Sequence, residues 1–176
     1  MKEQTKRLCV TAVLLALAAA LSTIKLFTMP FGGTVTPASM LPVCLIAVLY
    51  HTEWGVLSGL LYGVMQLILG LNNLSYATSA AAAAAIIMLD YLLAFAALGI
   101  SDLFRFKPLG VIVACLLRFL CHFVTGFTVW SALSPDAVWY SLLYNGAYML
   151  PETVITAAAM FLLCRTGVTE RLRKLL

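Results

Sequence analysis

Four ionisable side chains, Asp90, Arg118, His122 and Glu152, stand inside long apolar stretches of this 176-residue chain. An ionised group in such surroundings is costly unless it meets a partner, a cavity or a ligand, so these four carry most of the chemical information. Arg118 and His122 are four residues apart, on one face of any helix that contains them, and Thr125, Gly126 and Trp130 continue that stripe. Asn145, Tyr148 and Glu152 recur at helical spacing further along, and Asp90-Tyr91 supplies a third element. A carboxylate, an imidazole, an amide and several aromatic faces suit a flat, cationic, hydrogen-bonding heterocycle. Aromatic faces attract cations, and Asp90 offers a full counter-charge.

Each of these residues also has a plainer role open to it. Arg118 reads first as a structural counter-ion to Glu152 or Asp90, since an unpaired intramembrane charge is unfavourable. His122 alone would be a hydrogen-bonded core residue, but on a stripe with Trp130 and opposite Asn145 it reads as a site residue. Trp130, Trp139 and Tyr140 could form an interfacial aromatic belt; that role is assigned to Trp139, and Trp130 and Tyr140 are assigned to the site. Glu152 lies deeper than Asn145 and is a proton relay, an acid paired with Arg118 or the floor of a cavity, the paired acid being favoured. Cys9, Cys44, Cys115, Cys121 and Cys164 all lie in apolar stretches without metal-type spacing and read as packing residues.

The elements that must position these groups follow from composition. The chain is 63% hydrophobic and only 10% charged, with mean hydropathy +1.03, whereas soluble domains carry about 25% charged residues. A water-soluble fold and a soluble catalytic domain are thereby excluded. A spanning helix needs about 20 mostly apolar residues, and apolar runs predict helices near 7–27, 38–51, 54–71, 78–103, 108–132 and 140–165. The first run follows Lys2, Lys6 and Arg7 as a signal peptide would, but it continues to about Ile24 without a cleavage site and reads as a retained helix. Breakers at Met29-Pro30-Phe31-Gly32-Gly33, Gly70-Leu71-Asn72-Asn73 and Ser134-Pro135-Asp136 mark three loops on one side.

Those loops lack Lys and Arg, whereas Lys2, Lys6, Arg7, Arg105, Lys107, Arg165, Arg171, Arg173 and Lys174 fall on the other side. The positive-inside rule makes that side cytoplasmic. Lys25, near the outer end of the first helix, is the exception, and its stem can snorkel. The expected fold is an all-α integral membrane protein of six transmembrane helices, both termini cytoplasmic, forming a single domain over residues 1–176. The site would open outwards.

The chain resembles a known family over nearly its whole length. The resemblance rests on Met29 to Thr36 (MPFGGTVT), Leu60 to Gly70 (LLYGVMQLILG), Leu89 to Phe95 (LDYLLAF), the stretch His122 to Trp130, and Tyr140 to Gly146 (YSLLYNG) running on to Leu150-Pro151-Glu152. In this order they are similar to the thiamine-specific S components of energy-coupling factor transporters. The resemblance implies a six-helix protein of the bacterial cell membrane that binds thiamine in an outward-facing pocket. It would dock on a shared module of one transmembrane scaffold subunit and two ATPase subunits. It would need no cofactor, no nucleic-acid partner and no catalysis of its own, and no GxxxxGK[ST] phosphate loop is present.

Carried over by position, the family's substrate-binding residues fall on Asp90, Tyr91, His122, Trp130, Tyr140 and Asn145. Asp90 would hold the thiazolium, and the aromatic residues would stack on the rings. Some members carry Glu where this chain has Asp90, and some carry Trp in the first outer loop, where Phe31 is the aromatic residue here. Ala12, Ala16 and Ala20 form a small-residue stripe that allows close helix approach. The resemblance places the scaffold-docking face at Ala12 and Ala16, with packing inside the chain as the alternative. Two other functions stay open: a self-sufficient proton-coupled carrier using Asp90, Glu152 and His122, and an S component for another cationic vitamin or precursor. A membrane enzyme finds no metal-ligand set or activated nucleophile.

Overall fold

The computed structural model describes residues 2–129 and 136–176, so Trp130 lies outside the described residues, as does the Phe31 side chain. Helix α1 (Glu3–Thr23) is apolar along its length, yet only Thr11, Leu15 and Ala18 are buried. Ala12 and Ala16 are exposed on its open side. The chain then forms a small antiparallel hairpin. Strand β1 (Phe27–Thr28) pairs with β2 (Thr34–Val35) in the register Phe27 to Val35 and Thr28 to Thr34. Pro30–Gly32 makes a 3-10 turn between them, and Gly32 supplies its φ of 101° at no steric cost.

Helix α2 (Leu41–Leu69) bends sharply where the apolar run of its first arm meets the polar group His51-Thr52-Glu53. His51 takes φ 70° and ψ 166° there, and the second arm folds back on the first, since a Cβ on Gly55 would sit 2.8 Å from the Cα of Ala47. These two arms are the stretches predicted as separate helices near 38–51 and 54–71. The first arm is the centre of the molecule, with Val43, Cys44, Ile46, Ala47 and Val48 almost fully enclosed.

The second arm carries Gly55, Gly59 and Gly63 at four-residue intervals, and this stripe sets its distance from α3 (Ala80–Asp102). A Cβ on Gly59 would lie 2.3 Å from the Phe95 carbonyl oxygen, and one on Gly63 would lie 2.6 Å from that of Tyr91. Only hydrogen fits there, so the backbones touch and gain dispersion contacts in a setting where lipid supplies no hydrophobic drive. Helix α3 opens with Ser79 as its cap, the hydroxyl accepting from the Ala82 N–H at 3.1 Å. It widens into π-helical turns over Ile86–Leu93 and tightens to a 3-10 end over Ala97–Asp102. Asp90 and Tyr91 fall inside the π segment, a departure from α geometry that recurs at functional sites.

Helices α4 (Lys107–Thr128) and α5 (Ala137–Arg165) pack on one another and complete the body. Gly167, at φ 70°, ends α5 and starts the short amphipathic α6 (Val168–Leu175). Lys6 donates to the Leu175 carbonyl and Arg173 to that of Val48, so the start of α1, the bend of α2 and α6 meet at one end. Asp102 joins them by accepting from Lys107 at 2.7 Å and Arg173 at 3.2 Å. The basic residues grouped from the sequence are thus partly collected at the far end of α1 from the hairpin. Among the described residues five helices are long and apolar enough to cross a membrane, with the bent α2 counted once.

Candidate functional site

A cavity of about 620 Å³ opens beside the hairpin, walled by the end of α1, the second arm of α2, and α3, α4 and α5. That size is within the range of small-molecule sites, roughly 300–1,000 Å³. Asp90, Tyr91, His122, Tyr140 and Asn145 all line it, so five of the six residues proposed from the sequence share one space. The sixth, Trp130, lies outside the described residues. Lys25 lines the cavity as well, while Trp139 is 64% exposed on the outer surface of α5.

Three charged or polar groups form a chain across the wall. Arg118 Nε donates to His122 Nε2 at 3.3 Å, and His122 Nδ1 meets Asp90 Oδ1 at 2.9 Å. With Nε2 accepting, the imidazole proton sits on Nδ1 and is donated to the carboxylate, which fixes the tautomer by the network. His122 therefore stands between a guanidinium and a carboxylate. Among the described residues nothing hydrogen-bonds the second oxygen of Asp90, so a full negative charge is held in place with one face free. The expected direct pairing of Arg118 with Glu152 or Asp90 is not what the structure shows. His122, one turn along α4, intervenes, and the Arg118 guanidinium lies over the Phe95 ring, 4.1 Å from its centre.

The α5 wall is a ladder of residues four apart: Tyr140, Tyr144, Tyr148 and Glu152. Tyr140 and Tyr144 stack at 5.8 Å, Tyr144 and Tyr148 meet edge to face at 5.9 Å, and Tyr148 meets the His122 ring at 6.3 Å. Such faces favour a flat cation. Asn145 is braced within the wall. Its amide nitrogen donates to Ser141 O, Ser141 Oγ and His122 O, and its oxygen accepts from Tyr148 Oη at 2.9 Å. Tyr91 turns its ring to the cavity while its hydroxyl donates to Gly70 O and accepts from Asn73 Nδ2 at 3.0 Å, which pins the 71–76 turn.

The hairpin is the remaining wall, and two residues that sequence reasoning left without this role hold it. Tyr144 Oη accepts from the Gly33 N–H at 2.9 Å and donates to the Pro30 carbonyl. Deeper, Glu152 Oε1 accepts from Thr36 N at 2.7 Å and from Thr36 Oγ1 at 2.5 Å. Val35, Tyr148 and Met149 pack together between these two anchors. The four-residue spacing from Tyr140 to Glu152 was visible in the sequence, but its partners are more than a hundred residues away. On the opposite wall Gln66 donates to Tyr62 Oη at 2.6 Å, and Tyr62 donates to Ala18 O at 3.0 Å.

Similarity to known proteins spans nearly the whole chain. A family model described as thiamine transporter protein (Thia_YuaJ) matches residues 8–171. The thiamine transporter ThiT of Bacillus subtilis (strain 168) is 33% identical over 187 residues, covering 94% of this chain and 93% of the relative. The solved structure of ThiT from Listeria monocytogenes superposes with a TM-score of 0.77 at 22% identity, over 98% of this chain and 99% of that one. At that identity the superposition speaks for the fold.

Proposed function

The chain belongs to the thiamine transporter protein family, and from that premise we propose that it is the thiamine-binding subunit of an energy-coupling factor importer. It is a transport protein of the membrane, not an enzyme. In the proposed complex a separate module, one transmembrane scaffold subunit and two ATPase subunits, supplies the energy, and the bacterial cell membrane is the site of action.

The observation that carries the reading is the Asp90 carboxylate. It is held by His122 and lines a cavity that the tyrosine ladder of α5 also lines. Thiamine is a permanent cation with two flat rings, so its thiazolium would find a counter-charge at Asp90 and its rings the faces of Tyr91, Tyr140 and His122. Trp130 and Asn145 complete the proposed set, Asn145 by bracing α5 against α4. Six membrane crossings are proposed, with the two arms of α2 as separate passes. The meeting of both termini with Lys6, Lys107 and Arg173 at one end supports a cytoplasmic placement of that end. Ala12 and Ala16, exposed on α1, are the proposed docking face for the scaffold.

Titration of the purified chain in detergent, followed by intrinsic tryptophan fluorescence, tests the substrate. Saturable quenching by thiamine, with none by riboflavin or biotin, is expected, and no response in folded protein refutes the assignment. Uptake by liposomes tests the energisation. Thiamine import by the chain alone, driven by a proton gradient, would replace the subunit reading with that of a carrier.

A further inference from the structure

Glu152 is the second acid of the cavity, and half of its carboxylate is unaccounted for. The residue is only 4% exposed. Its Oε1 is used twice by Thr36, whereas Oε2 is buried and, among the described residues, has no hydrogen-bond partner. A carboxylate offers about four acceptor positions, and a buried acceptor left unmade costs roughly 1–3 kcal/mol, more if charged. Such an atom calls for a reason.

The hydrogen bonds of the polar side chains that line this part of the cavity run elsewhere. Arg118 gives Nε to His122 and lays its guanidinium over Phe95. The Asn145 amide gives its protons to Ser141 and to the His122 carbonyl, and the Tyr148 hydroxyl gives its proton to Asn145. Thr36 spends its N–H on Oε1. Glu152 nonetheless lines the same cavity as Asp90, seven residues or about 10 Å along α5 from Asn145. Among the described residues this cavity-lining side chain thus keeps an acceptor without a protein donor.

We propose that Glu152 Oε2 is a ligand contact that accepts an N–H from the exocyclic amine of an aminopyrimidine. This rests on the thiamine reading above and adds to it a division of labour between two acids. Asp90 answers the charge of the thiazolium, and Glu152 reads the amine of the pyrimidine. An amine donor satisfies Oε2; a carbonyl in the same place sets two acceptors against each other. Because Oε1 of the same carboxylate holds Thr36, the group that reads the ligand also anchors the base of the hairpin.

The test compares thiamine with oxythiamine, which carries a carbonyl where thiamine carries that amine, by isothermal titration of the purified full chain. The wild-type protein should prefer thiamine by about tenfold to a hundredfold, the worth of one hydrogen bond to a charged group. Glu152→Gln keeps an oxygen for Thr36 and should lose most of that preference. It should do so by weakening thiamine and strengthening oxythiamine, whose carbonyl can accept from the new amide N–H. Thr36→Val, which removes only the hairpin anchor's hydroxyl, should weaken both ligands alike and keep the preference.

Equal wild-type affinities overturn the proposal without recourse to any variant, and so does an equal loss of both ligands in Glu152→Gln, which would make Glu152 an anchor only. Failure of the wild-type chain to bind either compound is a different result. It removes the thiamine reading, and this proposal falls with it.

Discussion

Replacing Tyr144 with Phe removes one oxygen and leaves the ring that stacks on Tyr140 and meets Tyr148. That oxygen makes two bonds to the hairpin, accepting from Gly33 N and donating to the Pro30 carbonyl. Each is worth about 0.5–1.5 kcal/mol net, so the docked hairpin should lose about 1–3 kcal/mol relative to an undocked one. The hairpin forms one wall of the cavity, and its Gly32, Gly33 and Thr34 face the ligand space. A ligand enclosed by a less securely held wall should leave faster, by about fivefold to 150-fold for that energy, with a smaller change in the association rate. Stopped-flow fluorescence of thiamine release from Tyr144→Phe measures this, with melting temperature as the check that the bundle is intact. Release at the wild-type rate from a folded variant would refute the argument that Tyr144 holds the hairpin over the site.

Three further outcomes follow from the same geometry. Asp90→Asn keeps an oxygen for the His122 N–H but removes the charge, and thiamine should bind about 30-fold to 1,000-fold more weakly, a cost of about 2–4 kcal/mol; titration showing an unchanged Kd would discard Asp90 as the counter-ion. Gly59→Ala places a Cβ 2.3 Å from the Phe95 carbonyl oxygen. The forced separation of α2 and α3 should lower the melting temperature by roughly 2–12 °C, and differential scanning fluorimetry showing no shift would contradict so close an approach. Ala12→Trp, on the exposed side of α1, should leave thiamine binding intact and abolish uptake by the reconstituted complex; full uptake would move the docking face elsewhere.

Much of the cavity lining was legible because polar groups are scarce in this sequence. Asp90, His122, Tyr140 and Asn145 stand out against an apolar background, and each lines the cavity. The roles were harder to read than the positions. Arg118 was expected to pair directly with an acid, but only the folded chain shows His122 seated between Arg118 and Asp90. Asn145 was expected at the cavity and lines it, and only the folded chain shows its amide also bracing α5 through Ser141, His122 and Tyr148. Tyr144 and Glu152 were visible at four-residue spacing, but their hairpin partners, Gly33 and Thr36, are 111 and 116 residues away.

The sequence by itself determined that this chain is a membrane-spanning helical protein, where its helices begin and end to within a few residues, and which faces carry polar groups. Those properties depend on local composition and periodicity, because a lipid environment demands apolar runs and internally satisfied backbones. The tertiary structure decided the close approach of α2 to α3 along Gly55, Gly59 and Gly63, the π-helical turn that presents Asp90, and the partner of each polar side chain. Those are contacts between distant segments. They depend on which residues distant backbones bring within about 3 Å of one another, a distance set by packing that no single stretch of sequence contains.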